Sequence, residues 1–364
     1  MIPALRELLQ ARWPELRPGH AAPAGAIVAG VDRSPAAKVT LVFFDERGEL
    51  AAIAKVARSP VSEPALVQEH EALSYLWSLD PSGGPALPSV LGQVPAPLLL
   101  ERVNGRLSLV VSPLAGRPMT AAYYTPGHVA DQAKVAADFA QAATWLRAFQ
   151  TETATSLQPF DAERLDRWVG QLIGDYREQV GWSPTEEKLF TEVHTRAEAL
   201  LGLPLPTAAI HGDYWMGNLL VDRSGLRGVI DWERGRREGP CLLDIYKFPT
   251  SYGLYLDRSY PGGTVPGHPG RARWLTRWNH LGDWPHLAGF GYTYYGDGWF
   301  PEQVRAFITG HLDALGVPAA ANAVFFPLFL AEQALLPGHP KTRAANRAML
   351  HALGEDPTAT WLWS

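Results

Sequence analysis

The sequence has one cysteine among 364 residues, so it cannot form an intramolecular disulfide bond, which fits a reducing compartment. It also lacks an apolar run that could span a bilayer. The longest candidate, residues 323–330, has about half the required length. The first sixteen residues carry arginines and glutamates that would interrupt the apolar core of a signal peptide. We therefore expect a cytoplasmic protein with no membrane partner.

No strong excess of charge of either sign is present. Lys and Arg total 32 and Asp and Glu total 37, which gives a net charge of −5. Nucleic acids are bound by strongly basic surfaces, so a nucleic-acid partner is not expected. The hydrophobic fraction of 46% and the length together allow two domains with substantial cores. No repeat is visible, and nothing in the sequence indicates an oligomeric state.

The first third of the chain has the pattern of a small sheet. Short β-rich segments predict strands at residues 27–31, 38–44, 50–57, 98–103 and 107–111. Asn104-Gly105 between the last two is a strong hairpin signal. Residues 63–79 carry apolar residues at helical spacing. We predict a small antiparallel sheet with one helix packed on it.

The composition changes at residues 112–119, which contain two prolines and a glycine. The rest of the chain has mainly helical periodicity. Helices are predicted at residues 129–151, 162–179, 185–201, 301–314, 319–336 and 342–353. The expected fold is α+β, with an N-terminal domain at 1–111, a hinge at 112–119 and a C-terminal helical domain at 120–364.

The segment with the clearest chemistry is residues 210–244. His211-Gly212-Asp213 is followed, five residues after the aspartate, by Asn218. Two short apolar strands and a turn then lead to Asp231. A hairpin of this kind returns the second carboxylate to the end of the sheet where the first polar loop lies.

These residue types suit phosphoryl transfer. The oxygens of Asn218 and Asp231 are ligands of the kind that Mg²⁺ prefers. Asp213 is a candidate acceptor for the proton of an attacking hydroxyl. A base and metal ligands that neutralise the β- and γ-phosphates are the parts that this reaction needs. The alternative is a turn with ordinary capping residues, which does not explain why several polar positions agree at once.

The motifs HGDYWMGNLL and GVIDWE resemble those of the aminoglycoside phosphotransferase-like kinases, which include choline and fructosamine kinases. The resemblance implies a bilobal protein-kinase-like fold and an enzyme that uses ATP and Mg²⁺. It implies that Asp213 is the catalytic base and that Asn218 and Asp231 hold the metal. It also implies structural roles for His211, which positions the base, and for Asp244, which braces the catalytic loop.

The N-terminal strands supply candidates for nucleotide contacts. Lys55, in the third strand, resembles the kinase strand lysine. Glu69 shares the apolar face of the following helix and is the predicted partner of this lysine, whereas Glu71, the alternative, points about 200° away at 100° per residue. Ser34 is a candidate phosphate contact, with a plain hairpin turn as the alternative.

The predicted hinge should bind the adenine through a backbone N–H. Pro113 has none, so the donor is expected from Ser112 or Leu114.

The acceptor site is expected to come from the helical segment before the catalytic loop and from the aromatic segment at residues 250–300. Most of its rings are expected to form core, with one or two exposed. The candidate acceptor contacts are Glu233, Asp283, Trp284, Asp297 and Trp299, and a structural hydrogen bond is an equal alternative for Glu233.

The predicted function is the transfer of the γ-phosphate of ATP to a hydroxyl of a small molecule: an amino sugar, a sugar or an amino alcohol. A non-catalytic nucleotide-binding relative is the first alternative. A protein kinase is the second, disfavoured because Phe-Gly does not follow Asp231.

Overall fold

The computed structural model describes residues 1–31, 37–79, 90–154, 159–256, 258, 260, 264–282, 285–336 and 340–363. The strands are β1 Gly25–Val31, β2 Lys38–Phe44, β3 Leu50–Ala57, β4 Pro97–Val103, β5 Arg106–Val111, β6 Arg117–Pro118, β7 Thr207–Ile210, β8 Leu219–Asp222, β9 Gly225–Val229 and β10 Arg236–Pro240. The helices are α1 Ile2–Leu16, α2 Glu63–Ser78, α3 Thr120–Tyr123, α4 Gln132–Glu152, α5 Ala162–Leu165, α6 Gln171–Val180, α7 Pro184–Glu198, α8 Leu242–Tyr255, α9 Pro285–Tyr295, α10 Trp299–Leu315, α11 Asn322–Leu335 and α12 Pro340–Glu355.

The chain divides into two compact units. The first contains residues 1–117, 211–213 and 218–237, and the second contains 118–210, 214–217 and 238–364. The β8–β9 hairpin therefore belongs to the same unit as the N-terminal sheet, although the sequence prediction assigned it to the C-terminal domain. The predicted domain limits stay a prediction.

The first unit is built on an antiparallel sheet with strand order β1-β2-β3-β5-β4. One face buries Leu41 and Phe43 against Leu5, Leu9 and Trp13 of α1. Because side chains alternate along a strand, Lys55 lies on the opposite face from its neighbours Ala54 and Val56, which belong to that core. The sheet and its helix agree with the predicted fold class.

The turn between β4 and β5 is the predicted Asn104-Gly105 pair, with φ values of 49° and 77°. Two successive positive φ values are those of a type I′ turn, which matches the twist of the paired strands.

The second unit is mainly helical, and its core is rich in aromatic rings. Phe139 packs edge-to-face against Phe248 and Phe307. Trp274 and Trp278 of the aromatic segment are buried as well. The expectation that most rings of this segment form core is confirmed.

Several helix limits differ from the sequence prediction. The helix expected from 129 begins at Gln132, because the Asp131 side chain caps it by accepting hydrogen bonds from two backbone N–H groups. The helix expected at 162–179 is interrupted by a π turn at 166–170. Helices α8 and α9 were not predicted, since glycine, proline and aromatic residues obscure their periodicity.

Among the described residues, no single helix has the length and hydrophobicity of a membrane span. One pair, α10 followed by residues 319–335, meets that criterion by length and composition only, with a bend of 115° between its members.

Candidate active site

The β8–β9 hairpin brings Asn218 and Asp231 to the same end of the sheet. Leu219 pairs with Val229, and the backbone N–H of Ile230 donates to the carbonyl of Asn218 over 2.9 Å. Asn218 is thus directly opposite the residue before Asp231. The strand register, rather than any long-range contact, sets this juxtaposition.

Asp231 has an unusual backbone conformation. Its φ of 69° lies in the left-handed region, where residues other than glycine are uncommon. Aspartate tolerates this region better than most residues, and such positions cluster at functional sites.

The loop before β8 is fixed by His211 and Gly212. The Nδ1 atom of His211 accepts the backbone N–H of Asp213 over 3.1 Å, and its Nε2 lies 3.0 Å from the carbonyl of Ile230. A carbonyl can only accept, so Nε2 carries the proton and the ring is neutral. Gly212 has a φ of 77°, and a Cβ there would lie 2.5 Å from the carbonyl oxygen of Arg234. Only glycine fits at this position.

Asn218 holds the loop from the other side. Its Nδ2 donates to the carbonyl of Asp213 over 2.9 Å and to the Oδ2 atom of Asp213 over 3.2 Å. These bonds turn the amide nitrogen toward Asp213. The amide oxygen, Oδ1, therefore points away from that residue.

Lys55 joins two carboxylates from different elements. Its Nζ lies 2.6 and 2.8 Å from the two carboxylate oxygens of Glu69 and 2.6 Å from Oδ1 of Asp231. Glu69 also accepts the backbone N–H of Trp232 over 3.3 Å. Glu71 is exposed. The structure thus brings together the predicted pair, Lys55 and Glu69, and adds Asp231 to it.

The opposite charges of Lys55 and Asp231 each stabilise the ionised form of the other. Burial raises the pKa of Asp231, but the nearby ammonium groups of Lys55 and Lys38 outweigh it and hold the pKa below its ordinary value. Burial lowers the pKa of Lys55, but the carboxylates of Asp231 and Glu69 outweigh it and raise the pKa. Both groups are therefore ionised at neutral pH.

Lys38 was missed by the sequence prediction. It opens β2 and lies on the same sheet face as Lys55, because Thr40, two residues further on, pairs with Lys55. Its side chain is 17% exposed and forms an ion pair with Glu233. Burial, opposed by the carboxylate of Asp231, lowers its pKa. A lysine at the first residue of a strand gave no signal in the sequence, since such residues usually point to solvent.

Glu233 had two predicted roles, an acceptor contact and a structural one. Its ion pair with Lys38 gives it a definite partner within the first unit. Next to it, the Nη1 atom of Arg234 is buried and has no hydrogen-bond partner among the described residues.

The two candidate backbone donors of the hinge segment, Ser112 and Leu114, differ in their contacts. The N–H of Ser112 donates to the carbonyl of Ala96 over 2.9 Å, and its hydroxyl accepts the N–H of Ala96. Ser112 is thus occupied by strand-end contacts. In the part of the chain that the structure describes, the backbone N–H of Leu114 has no acceptor. Ser34, the predicted phosphate contact, lies outside the described residues.

The remaining predicted residues are in the second unit or outside the described ranges. Asp244 is buried in the first turn of α8. Asp297 forms a surface ion pair with Arg273 at 3.0 Å, and Trp299 donates to the carbonyl of Gly267. Asp283 and Trp284 lie outside the described residues.

Comparisons with known proteins identify the family. The sequence model of the phosphotransferase enzyme family, APH, matches residues 39–246, more than half of the chain. No curated protein sequence matches significantly.

Solved structures share the fold at low sequence identity. A thermostable mutant of aminoglycoside phosphotransferase APH(4)-Ia, in ternary complex with ADP and hygromycin B, is 13% identical, with a TM-score of 0.57 over 98% of this chain and 99% of that one. A putative aminoglycoside phosphotransferase from Ralstonia eutropha JMP134 is 14% identical, with a TM-score of 0.54 over 98% of each chain. Amicoumacin kinase hAmiN, in complex with AMP-PNP, Ca²⁺ and Ami, is 15% identical, with a TM-score of 0.50 over 98% of this chain and 95% of that one.

The sequence match covers the strand that carries Lys55 and the segment that carries Asp213, Asn218 and Asp231, and the solved structures share the fold across nearly the whole chain. This chain therefore belongs to the phosphotransferase enzyme family.

Proposed function

We propose that this protein is a Mg²⁺-dependent kinase that transfers the γ-phosphate of ATP to a hydroxyl of a small molecule. The observation that carries the proposal is the convergence of Asp213, Asn218, Asp231 and Lys55 within the first unit, around one end of the β8–β9 hairpin. Each supplies a different part of phosphoryl transfer.

The donor set fits Mg²⁺. Among the described residues, Oδ2 of Asp231 and Oδ1 of Asn218 accept no hydrogen bond, so both oxygens are uncommitted. The lowered pKa of Asp231 keeps its carboxylate charged, as a metal ligand must be. Carboxylate and amide oxygens together with phosphates are the ligands that Mg²⁺ takes in kinases. When bound there, the ion would neutralise charge on the β- and γ-phosphates.

Lysine and arginine side chains fit the phosphates. Lys55, oriented by Glu69, supplies one cation. We assign Lys38 as a second, because it occupies the same sheet face and interacts electrostatically with Asp231. The buried Nη1 of Arg234 is a further donor that a phosphate oxygen would satisfy.

Asp213 is assigned as the base that accepts the hydroxyl proton. The neutral His211 ring and the Asn218 amide hold its backbone and one carboxylate oxygen, so the group is preorganised before an acceptor arrives. Leu114 is assigned as the backbone donor to adenine, since Ser112 is already bonded to Ala96.

The test is transfer of labelled γ-phosphate from ATP, with Mg²⁺, to a panel of hydroxyl compounds. Asp213→Asn should lower kcat by about 10²–10⁴-fold. It should leave ATP affinity, measured by calorimetry, within about twofold of the wild-type value. Asp222→Asn, which changes an exposed carboxylate at the other end of the same hairpin, is the control and should behave like the wild type.

Two results would contradict the proposal. Near-normal transfer by Asp213→Asn would show that Asp213 is not the base. Tight Mg·ATP binding without transfer to any acceptor would favour the alternative, a non-catalytic nucleotide-binding protein.

A further inference from the structure

A short turn of the first unit, residues 232–235, directly follows Asp231. The backbone N–H of Gly235 donates to the carbonyl of Trp232 over 2.8 Å, which closes the turn. Asp231 enters it with a φ of 69°, and a residue other than glycine keeps such a conformation only where contacts on both sides hold it. On one side the β8–β9 hairpin provides these contacts. The conformation of Asp231 therefore depends on what holds the turn on the other side.

Helix α2 holds the turn through two neighbouring residues. Glu69, the partner of Lys55, accepts the N–H of Trp232, the first residue of the turn, over 3.3 Å. The Nε2 atom of Gln68 donates to the carbonyl of Gly235, the last residue of the turn, over 2.8 Å. Both ends of the turn are thus bonded to side chains of α2.

The contact with α2 continues along one face of the helix. Gln68, Ala72 and Tyr75 lie on this face, because they are four and three residues apart at about 100° per residue. A Cβ at Gly235 would lie 2.6 Å from the Cβ of Ala72, so only glycine lets the turn approach the helix this closely. The guanidinium of Arg237 lies 5.6 Å from the centroid of the Tyr75 ring. The end of the turn and the residues after it therefore pack along α2.

The turn also contacts the loop that carries Asp213. A Cβ at Gly212 would lie 2.5 Å from the carbonyl oxygen of Arg234 and 2.9 Å from its Cβ. Gly212 directly precedes Asp213 in the chain. A displacement of the turn would therefore move Asp231, to which it is joined, and would press on the residue before Asp213.

Resting on the proposed kinase function, we infer that Gln68 is a positioning residue, which holds the 232–235 turn on α2 and thereby keeps Asp231 in place to bind the metal of Mg·ATP. Lys55 does not fix this carboxylate alone, because it bonds one oxygen of Asp231 and is shared with Glu69. Gln68 is exposed and uncharged, and substitutions of such residues change stability little. Its loss should be visible in the turn and in metal binding rather than in the fold.

The first test uses the full chain without ligand. Gln68→Glu keeps the size of the side chain but replaces the N–H donor by a carboxylate, which repels the carbonyl of Gly235. Gln68→Met removes the donor without adding charge. Hydrogen–deuterium exchange in peptides that cover residues 231–237 should become about 2–10-fold faster, as the loss of one hydrogen bond predicts, with the larger effect in Gln68→Glu.

The second test measures Mg²⁺ and ATP. In both Gln68 variants the dissociation constant of ATP at limiting Mg²⁺, measured by calorimetry, should rise about 2–10-fold. The Mg²⁺ concentration that gives the half-maximal rate of phosphoryl transfer should rise with it, while the KM of the acceptor stays within about twofold. Partial unfolding would instead lower kcat without changing the Mg²⁺ requirement.

Gln10 provides the matched control. It is also an exposed glutamine on a helix of the first unit, and its Nε2 donates to a backbone carbonyl, that of Pro23, over 2.7 Å. Gln10→Glu and Gln10→Met should change the urea midpoint about as much as the Gln68 variants do. They should leave both the exchange of residues 231–237 and the Mg²⁺ requirement at the wild-type values.

The outcomes separate the two proposals. Unchanged exchange at residues 231–237 in Gln68→Glu, or faster exchange with unchanged affinity for Mg·ATP, would overturn the positioning role and leave the kinase function in place. Absence of transfer by the wild type to every acceptor, with Mg·ATP bound, would overturn the kinase function. Exchange and calorimetry would in that case still support or overturn the role of Gln68, because neither measurement needs an acceptor.

Discussion

Two carboxylates that pair with basic side chains, one in each unit, differ in how completely the protein satisfies their charge. Glu186 of α7 has no exposed side-chain area and receives hydrogen bonds at both oxygens. The Tyr176 hydroxyl and Nε of Arg347 reach one oxygen, at 2.5 and 2.9 Å. Nη2 of Arg347 and the backbone N–H of Ser183 reach the other, at 2.9 and 2.7 Å.

Asp231 in the first unit is only partly enclosed. Its side chain is 35% exposed, and one oxygen bonds Lys55, which Glu69 shares. Among the described residues the other oxygen has no donor.

From this difference we interpret Glu186 as a residue that stabilises the fold and Asp231 as one that binds a ligand. The carboxylate of Glu186 is satisfied within the protein, so nothing is left for a ligand. At Asp231 two carboxylates share one lysine, and an oxygen is left over, which is the arrangement expected where a metal ion is to be bound. Substituting each carboxylate by its amide tests this contrast.

The largest effect is expected from Glu186→Gln. Removing one member of a buried ion pair leaves Arg347 uncompensated and typically costs about 3–5 kcal/mol of the free energy of unfolding. Urea denaturation monitored by tryptophan fluorescence measures this loss. At a temperature where the variant is folded, its kcat/KM should stay within about twofold of the wild-type value. Glu186 bonds residues of the second unit that have no assigned part in phosphoryl transfer.

Glu187→Gln provides the control for this experiment. Glu187 is the next residue of α7 and is exposed. Its amide should change the free energy of unfolding by less than about 0.5 kcal/mol. A similarly small loss for Glu186→Gln would contradict the stabilising role that distinguishes Glu186 from Asp231.

Asp231→Asn should show the reverse behaviour. The loss of a preorganised electrostatic partner is expected to lower kcat by about 10²–10³-fold. It should also weaken the dependence of the rate on Mg²⁺ concentration. Stability should change by less than about 1 kcal/mol, because Lys55 keeps its contacts with Glu69 and a partly exposed ion pair contributes little. Unchanged Mg²⁺ dependence would contradict the metal assignment.

The pH dependence of stability provides a third comparison. Burial raises the pKa of Glu186, but hydrogen bonds from His351, Arg347 and Tyr176 outweigh it and hold the pKa well below its ordinary value. A depressed folded-state pKa stabilises the protein above the unfolded pKa, near 4.3 for glutamate, and this contribution is lost as the pH falls below it.

The stability difference between wild type and Glu186→Gln should therefore narrow by about 2 kcal/mol between pH 6 and pH 3. Urea unfolding of both proteins at the two pH values measures this change. A constant difference would show that Glu186 does not act through its charge.

The sequence predicted the fold class because strand periodicity, Asn104-Gly105 and the Asp213–Asn218–Asp231 spacing are local signals. It also placed Glu69 opposite Lys55, since a helix fixes which residues share a face. Lys38 could not be found in this way. Its surroundings depend on sheet register and on contacts between segments far apart in the chain, which no spacing encodes. The aromatic segment was correctly expected to form mainly core.

The smallest effects expected, and the most discriminating, concern Lys38 and Glu233. If Lys38 contacts a phosphate, Lys38→Ala should raise the KM of ATP or lower kcat by about tenfold, a loss of about 1.4 kcal/mol in transition-state binding. Glu233→Gln removes the competing partner and frees the lysine, so the KM of ATP should stay equal or fall. If the ion pair of Lys38 and Glu233 is purely structural, both variants should instead lose stability and change the kinetics in the same way. Lys38→Arg keeps the charge and should recover part of the activity. A rise in the KM of ATP for Lys38→Ala, with no rise for Glu233→Gln, would thus place Lys38, like Asp231, among the groups that the protein leaves available for its ligand.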